Sequence, residues 1–344
     1  MLKMKIDLIP SQGNFYKVNM HCHTNISDGK RSPEEIKEFY KSAGYSAICY
    51  TDHEILIGHK ELCDDDFIAL HGYEVAIKKD LSGHTAYHMP VYHFNFIAKS
   101  QDNMKMPKYF VNNPSFPGAS KSWSEKYAQY DETIDTTRYD KEWINEYLKA
   151  VSDGGFLVNY NHPEWSLQNA TDYIGLENIH SVEIANGGCL AMNDNTSVHF
   201  NQMLRAGMKV VPTGGDDNHN AGGSLRCWTV IKAPRLTYED LIAGYENGDC
   251  YASESPEIKA LWYEDGKIKA ETSPAARIYL RSEGRYAPTK TGSDLITYAE
   301  FEYSPAKMGR FFRIEVRDAA GFRAWSNAYY VDDVESRIAS EEKR

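Results

Sequence analysis

Cysteines are few in this chain, and their spacing follows no regular framework. Six of them are scattered over 344 residues, and none belongs to a C-x-x-C pair. This spacing excludes a disulfide scaffold, and several of the thiols lie in strand-like sequence where they behave as small hydrophobes. We expect reduced, structural cysteines, and we expect Cys22 in particular to take no part in catalysis.

Long apolar runs are missing as well. Residues 1–10 lack the apolar central region of a secretory signal peptide. No later run approaches the apolar length that is needed to cross a bilayer. These absences argue against a membrane protein and predict that the protein is located in the cytoplasm.

Basic residues are outnumbered by acidic ones. The chain has 38 Lys and Arg against 49 Asp and Glu, which gives a formal net charge of -11. An extended nucleic-acid surface needs a basic face that releases counterions from phosphates, so we expect none here. A small anionic substrate that is held by metal ions remains compatible with this charge. The contents of 42% hydrophobic and 25% charged residues are ordinary for a globular protein.

What the chain does contain is histidines and carboxylates at the ends of apolar segments. His21 and His23 follow a run rich in β-formers, and Asp28 lies in the turn cluster that comes next. Side chains two residues apart in a strand share a face, so the two imidazoles can approach one ion while Cys22 points away. Alone, such a pair is equally compatible with an exposed strand end.

Further apolar segments deliver one candidate ligand each, at or just past their ends. They are the segments that lead to His53, Glu74, His162, and Asp217 with His219. The strand over residues 91–97 carries His93 inside it, while His84 and His88 compete for the same role from loop-like sequence. Asp216 is an alternative to Asp217, and the family resemblance given in the next paragraph favours Asp217 through its D-x-H spacing to His219.

These ordered motifs together resemble the PHP family, the phosphoesterase domain of bacterial DNA polymerases and histidinol phosphatase. H-x-H with S-D-G is followed by T-D-H, G-x-E, a strand histidine, H-P and G-x-D-x-H. The resemblance covers roughly residues 15–258. It implies an α/β fold, namely a distorted (β/α)7 TIM-like barrel with a trinuclear metal centre at the C-terminal ends of its strands, as is general for sites in such barrels.

The resemblance also implies how the ligands are divided among the ions. One ion would take His21, His23, Glu74 and Asp217; a second would take Glu74, His93 and His162; and a third would take Asp28, His53 and His219. Nitrogen and oxygen ligands without cysteine fit two or three divalent ions of zinc, manganese or iron.

Helix patterns, and a change to short β-rich segments after residue 256, suggest how the protein is organised. A capping box at Ser32-Pro33 begins a helix that ends at Gly44, and further helices are predicted over 140–152 and 237–247. Residues 100–138 show no sustained hydrophobic period, which predicts an insertion. This insertion is either a lid over the site or a surface loop without a role in it. We expect a metallohydrolase domain over 1–258 and a small β-sandwich, immunoglobulin-like in its strand pattern, over 259–344.

A PHP domain that is followed by such a module resembles the branch that includes carbaryl-hydrolase-like enzymes. The predicted function is the hydrolysis of small phosphate mono- or diesters, of nucleotides or sugar phosphates, by a metal-activated hydroxide. Arg226 is a candidate for binding the substrate phosphate, and a solvated loop arginine is the alternative. One rival function is hydrolysis of a carboxylic ester or amide at the same centre. Another is a non-catalytic metal-binding or regulatory protein.

Overall fold

The fold is a mixed α/β structure that is dominated by one large sheet. A computed structural model describes residues 4–79, 88–110, 123, 125–134, 138–190 and 197–343. The strands up to residue 253 are β1 (Lys5–Asp7), β2 (Asn14–Cys22), β3 (Ala47–Tyr50), β4 (Ile68–Lys78), β5 (Val91–Ala98), β6 (Met106–Phe110), β7 (Tyr130–Ile134), β8 (Phe156–Tyr160), β9 (Ser181–Asn186), β10 (Val211–Gly215), β11 (Trp228–Ala233) and β12 (Cys250–Ser253). The later strands are β13 (Ile258–Glu264), β14 (Lys267–Ala275), β15 (Arg277–Ser282), β16 (Thr289–Lys290), β17 (Ile296–Glu302), β18 (Phe311–Arg317), β19 (Arg323–Ser326) and β20 (Tyr329–Tyr330).

The helices lie between and after these strands. The α-helices are α1 (Pro33–Ser42), α2 (Lys141–Asp153), α3 (Ala170–Tyr173), α4 (Val198–Arg205), α5 (Tyr238–Glu246), α6 (Pro305–Met308) and α7 (Val331–Glu341), and short 3-10 turns span Lys60–Leu62 and Ala221–Gly223. The three predicted helices are confirmed as α1, α2 and α5, each with a side-chain cap at its N-terminus from Ser32, Asp140 or Thr237. Among the described residues, no helix is long and apolar enough to cross a membrane.

Seven strands of the large sheet follow one another in the order β10-β9-β8-β5-β4-β3-β2, and the sheet then continues into β11 and β12. Within the described residues no ladder joins β10 to β2, so the predicted barrel does not close. The physical reason is that the free edge of β2 pairs with β11 over Asn14–Val18. The two ends are connected instead by an isolated bridge between Cys22 and Asn218, by the bond from the Asp217 N–H to the His21 carbonyl at 2.9 Å, and by side-chain contacts such as the bond from the Asp216 N–H to Oδ1 of Asn19, also at 2.9 Å.

Strand β5 departs from the alternating β/α scheme because it pairs antiparallel with both β4 and β8. The pairs β2–β3, β3–β4, β8–β9 and β9–β10 are parallel, as that scheme predicts. In the 100–138 region, β6 and β7 form a two-stranded parallel sheet. Its Phe110 packs against Tyr147 of α2, with ring centroids 5.3 Å apart. The lid role of this region stays a prediction.

The C-terminal strands form antiparallel pairs, as their sequence predicts, and they join the rest of the molecule at two places. β19 pairs with β12 and so extends the large sheet into β18, β15 and β16. β1, from the start of the chain, pairs with β13 in a second sheet of order β1-β13-β14-β17. Apolar side chains from both sheets share one core. The sandwich and the boundary at 258/259 stay predictions.

Helix α7 differs from the expectation of an all-β module after residue 258. Val331 and Val334 are buried on one face of α7, and Ile338 packs partly buried against the same core. Asp332 and Asp333 lie in its first turn, where their charge complements the helix dipole. The apolar face is short, so tertiary packing rather than propensity stabilises this helix.

Candidate metal centre

The predicted metal ligands, which are distant in sequence, lie together at one edge of the large sheet. His21 is near the end of β2 and His23 follows it, while Glu74 and His93 belong to the neighbouring antiparallel strands β4 and β5. The other members follow strands directly or lie in the loops beyond them. All nine are in four overlapping groups of described residues whose ligand atoms lie within 4.8 Å of one another: His21, His23, Glu74 and Asp217; Glu74, His93 and His162; His23, Asp28, His53 and His219; and His21, His162 and Glu183.

Glu74 is at the centre of the cluster. Its carboxylate is buried, and the Asn161 amide donates to its Oε1 at 2.7 Å. Nδ1 of His93 lies 2.9 Å from Oε1, and Nδ1 of His53 lies 3.0 Å from Oε2. The ring nitrogens of His21, His23 and His162 are 3.3–3.4 Å from one or other oxygen. One carboxylate therefore contacts five imidazoles, as a bridging ligand would.

Asp217 forms the second point of convergence. Its Oδ1 lies 3.0 Å from Nε2 of His23 and 3.3 Å from Nε2 of His21. The two Nε2 atoms themselves are 3.1 Å apart, so both imidazoles face one point between the carboxylates. His162 Nε2 is 3.7 Å from the other oxygen of Asp217. These side chains can hold a divalent cation with nitrogen and oxygen atoms alone.

Asp28 and His219 lie at the more exposed side of the cluster. Nε2 of His219 lies 3.2 Å from Oδ2 of Asp28, and Nε2 of His53 lies 3.6 Å from the same oxygen. Both Asp28 and His219 are more than a third exposed, whereas His23 and His53 beside them are buried. This side of the cluster is therefore where solvent or a substrate can enter.

Glu183 is a member of the cluster that sequence reasoning missed as a site residue. It is buried in β9, and its oxygens lie 3.2 and 3.3 Å from Nδ1 of His21. It also accepts from the backbone N–H of His162 at 3.2 Å and from the Asn186 amide at 2.9 Å. The available signal was a charged residue in the middle of an otherwise apolar strand, at Val182-Glu183-Ile184.

Two other buried carboxylates hold the loops of the site instead of joining the cluster. Asp52 accepts from the backbone N–H groups of Thr24 and Ser27 and from both of their hydroxyls, at 2.6–3.2 Å. Asp216 accepts from three backbone N–H groups of residues 225–227 and from the Tyr40 hydroxyl. Of the two aspartates that the sequence left open, the structure places Asp217 among the histidines and Asp216 in this loop network.

The carboxylates and histidines of the cluster strongly perturb one another. Burial alone would lower the pKa of His23, but Asp217 and Glu74 raise it to about 10. Burial would also lower the pKa of His21, but Asp217 and Glu74 raise this pKa well above its usual range. Despite burial, the surrounding imidazoles hold the pKa of Glu74 and of Asp217 well below their usual range. The paired carboxylates therefore require positive charge between them, which a bound cation would supply.

Backbone geometry at the site is unusual for the residue types present. His162 and Asp217 have φ values of 22° and 48°, in the region that favours glycine. Such conformations cost free energy and cluster at functional sites. Gly215 is needed for close packing, because a Cβ there would lie 2.6 Å from Cβ of His21. The end of β10 can approach β2 only without a side chain at this position.

The remaining predicted residues lie apart from the cluster or outside the described chain. His88 is exposed and joins none of the four groups, while His93 does; His84 lies outside the described residues. Arg226 has an exposed side chain, and its backbone N–H donates to Asp216 at 2.9 Å. Its role in binding substrate stays a prediction.

Two cavities open beside the cluster. One of about 190 Å³ is lined by Asp217, His219, Cys189 and the 39% exposed Trp165, among others. The Trp165 ring lies 5.0 Å from that of His162 and 5.4 Å from that of His93, between centroids. The second, of about 300 Å³, is lined by residues that include His219, Lys30 and Arg31.

Comparison with known proteins supports the resemblance that the motifs indicate. Residues 19–162 match the model of the PHP domain family, which confirms that resemblance over this part of the chain. No curated protein matches the chain.

Solved structures with similarity to the chain include a two-domain protein from Bacteroides vulgatus, which contains a predicted PHP-like metal-dependent phosphoesterase. It is 13% identical, 94% of this chain and 97% of that chain are covered, and the TM-score is 0.43. An amidohydrolase from Chromobacterium violaceum, with bound sulfate and no metal, is 12% identical, with coverages of 68% and 96% and a TM-score of 0.39.

Proposed function

We propose that this chain, with its PHP domain match over residues 19–162, is a metal-dependent hydrolase of small phosphate mono- or diesters, such as nucleotides or sugar phosphates. The observation that carries the proposal is the convergence of five imidazoles on Glu74 beside Asp217. We further propose that β2–β5 and β8–β10 act as a distorted, open barrel that presents these ligands from its strand ends.

The residues present fit a set of two or three divalent ions of zinc, manganese or iron. The proposed ligands divide as the PHP resemblance implies, with Glu74 shared by the first two ions. Nδ1 of His23 is buried, has no hydrogen-bond partner in the described part of the chain and lies 3.8 Å from Oδ1 of Asp28, so a cation held beside Asp28 would satisfy it. Cys189 belongs to none of the four groups of described residues, so the donor set that they bring together is nitrogen and oxygen.

Bound divalent ions supply hydroxide near neutral pH and neutralise negative charge on a phosphoryl group. The protein's own residues orient the ligands and bind the substrate. Glu183 orients His21 through Nδ1, and Asn161 holds Glu74. Lys30 and Arg31 line the cavity next to His219 and favour an anionic group there. Trp165 offers a flat apolar face for a base or an aryl leaving group.

The experiment that tests this proposal is a hydrolysis assay with separate zinc, manganese and iron loadings. Aryl phosphate mono- and diesters and an aryl carboxylic ester are compared for the wild type, His53→Ala, Asp217→Asn and the exposed control Glu146→Gln. We expect phosphoester turnover that both site variants reduce at least about a hundredfold, because removing a metal ligand removes charge stabilisation of the transition state. Turnover of the carboxylic ester alone would favour the carbonyl substrate, and no turnover by fully metal-loaded protein would contradict an enzyme of either kind.

Trp165 provides a separate test of the substrate class. Trp165→Ala is expected to raise KM for nucleoside monophosphates about tenfold while kcat changes little, because base stacking contributes to binding on the order of 1–3 kcal/mol. The matched control is Tyr298→Ala, which removes an exposed aromatic ring from β17 of the other sheet. An unchanged KM for nucleotides together with active enzyme would favour sugar phosphates.

A further inference from the structure

A second charged site lies on the C-terminal strands and shares no residue with the metal cluster. β15, β18 and β19 alternate between two faces, because successive side chains in a strand point to opposite sides. One face is apolar and belongs to the core shared by the two sheets. It carries Ile278, Leu280, Ile314, Val316 and Ala324. The opposite face carries Arg277, Tyr279, Arg281, Arg313, Glu315, Arg317, Arg323 and Trp325.

The strand register places like charges directly opposite one another on this face. Arg281 pairs with Arg313 across β15 and β18, and Arg317 lies between Arg277 on one side and Arg323 on the other. Directly opposed like charges destabilise a sheet. The arginines on these three adjacent strands are therefore a local cost in stability that a bound anion would offset.

A cavity of about 320 Å³ lies between this face and α4. Its charged lining residues in the described part of the chain are Arg205, Arg281, Arg313, Arg317, Arg323 and Glu315. Five positive charges thus face one negative charge. Glu315 is engaged already, at 3.4 Å from Nη1 of Arg313 and 3.5 Å from Nε of Arg281.

Arg313 gives the cavity a fixed wall. Its side chain is 1% exposed, and its guanidinium donates to the Ser197 hydroxyl at 2.9 Å and to the side-chain oxygen of Asn201 at 3.1 Å. Burial lowers the pKa of Arg313 to about 10, so the group still carries its charge near neutral pH. A buried guanidinium that is held in place by Ser197 and Asn201 adds a fixed positive charge to the cavity wall, unlike a solvated surface arginine.

We propose that this cavity binds a small phosphate-bearing anion with two or more negative charges. The excess of arginines over carboxylates calls for more than one charge, and arginine forks match phosphate oxygens in paired hydrogen bonds. The ligand is small because the cavity is concave, while the net charge of -11 disfavours a long polyanion over the rest of the surface. The proposal does not depend on the function of the metal cluster.

Calorimetric titration of the full-length protein with tripolyphosphate at constant ionic strength tests this inference. We expect saturable binding that Arg281→Gln/Arg317→Gln weakens about tenfold or more, because each charge-assisted bond contributes substantially to affinity. Arg277→Gln is the matched control, since Arg277 lies on the same face of β15 but does not line the cavity. It is expected to change the affinity less than about threefold. Thermal melts verify that each variant is folded.

Additional arms separate the possible sources of the anion. Asp217→Asn is expected to retain the affinity for tripolyphosphate, which distinguishes this cavity from the metal cluster. Tighter binding of adenosine triphosphate than of tripolyphosphate would indicate a nucleotide, and equal or weaker binding would indicate the phosphate chain itself. Absence of saturable binding, equal affinity of the double variant, or equal affinity for citrate would overturn the proposal of a phosphate site.

Discussion

At the scale of single residues, the cluster depends on carboxylates that fix imidazoles as much as on the imidazoles themselves. Glu183 shows this most clearly, because it holds His21 through Nδ1 and the backbone of His162 through the N–H. A partner of this kind sets the tautomer and the orientation of a metal-binding histidine. The residue that motif reasoning missed is thus expected to influence metal affinity.

Glu183→Gln tests this expectation. The amide keeps the size of the side chain but loses its charge, so Nδ1 of His21 loses a charged acceptor. We expect metal affinity to fall about 10–100-fold with the fold unchanged. Competition with a chelator of known affinity measures the change, and Glu146→Gln is the exposed control. Unaltered metal affinity in a folded Glu183→Gln protein would remove Glu183 from the metal centre.

At the scale of elements, the close approach of β10 to β2 positions the site. The ends of these strands are joined by the bond from the Asp217 N–H to the His21 carbonyl, and Gly215 allows this contact. A wider separation would move Asp217 away from His21 and His23, which it now meets at 3.0–3.3 Å.

Gly215→Ala is therefore expected to damage the site more than the fold. Its Cβ would lie 2.8 Å from the backbone N of His21 as well as close to the His21 side chain, so the strand ends must separate. We expect metal affinity to fall at least about tenfold, since a site loosened by about an ångström loses its geometry. Gly284→Ala is the control, because a Cβ there meets nothing within 4 Å. Equal metal affinity of both variants would argue against this role of Gly215.

Several strands and the clustering of the candidate ligands were predictable because most motifs ended an apolar segment. The carboxyl ends of neighbouring strands meet at one edge of a sheet, so His53, His162 and Asp217 were expected to converge. The pairing of the strands was harder to predict from the sequence. The antiparallel β5 and the continuation from β2 into β11 depend on contacts between distant segments, which a local pattern does not encode. Glu183 had no neighbouring motif residue to mark it.

At the scale of the whole molecule, protons and the proposed metal ions would compete for the same cluster. In the metal-free protein the pKa of His23 is raised to about 10 from an ordinary value of 6.5. A raised pKa stabilises the folded state fully below the unfolded value, and this contribution is lost as pH rises through the folded value. The window of loss for His23 therefore runs from about pH 6.5 to about pH 10.

Urea denaturation across this window checks the sign of the effect. With chelator present, the midpoint is expected to fall between about pH 6.5 and about pH 9.5, and added manganese or zinc is expected to restore it most at the alkaline end. A bound ion replaces the proton's charge, so it also stabilises the folded state by mass action. Asp217→Asn should show a flatter decline. A metal-free midpoint that is constant or rises over this range would contradict the assigned direction.

The pairing of β1 with β13 has a consequence for how the chain is made. Lys5 is synthesised 259 residues before its partner Glu264. At about 5–20 residues per second, the delay between them is on the order of ten seconds or more. Throughout it, Ile6, Leu8 and Ile9 lack the core that finally buries them. The N-terminal segment is therefore a natural target for chaperones during translation, and its docking is expected to be a late event in folding.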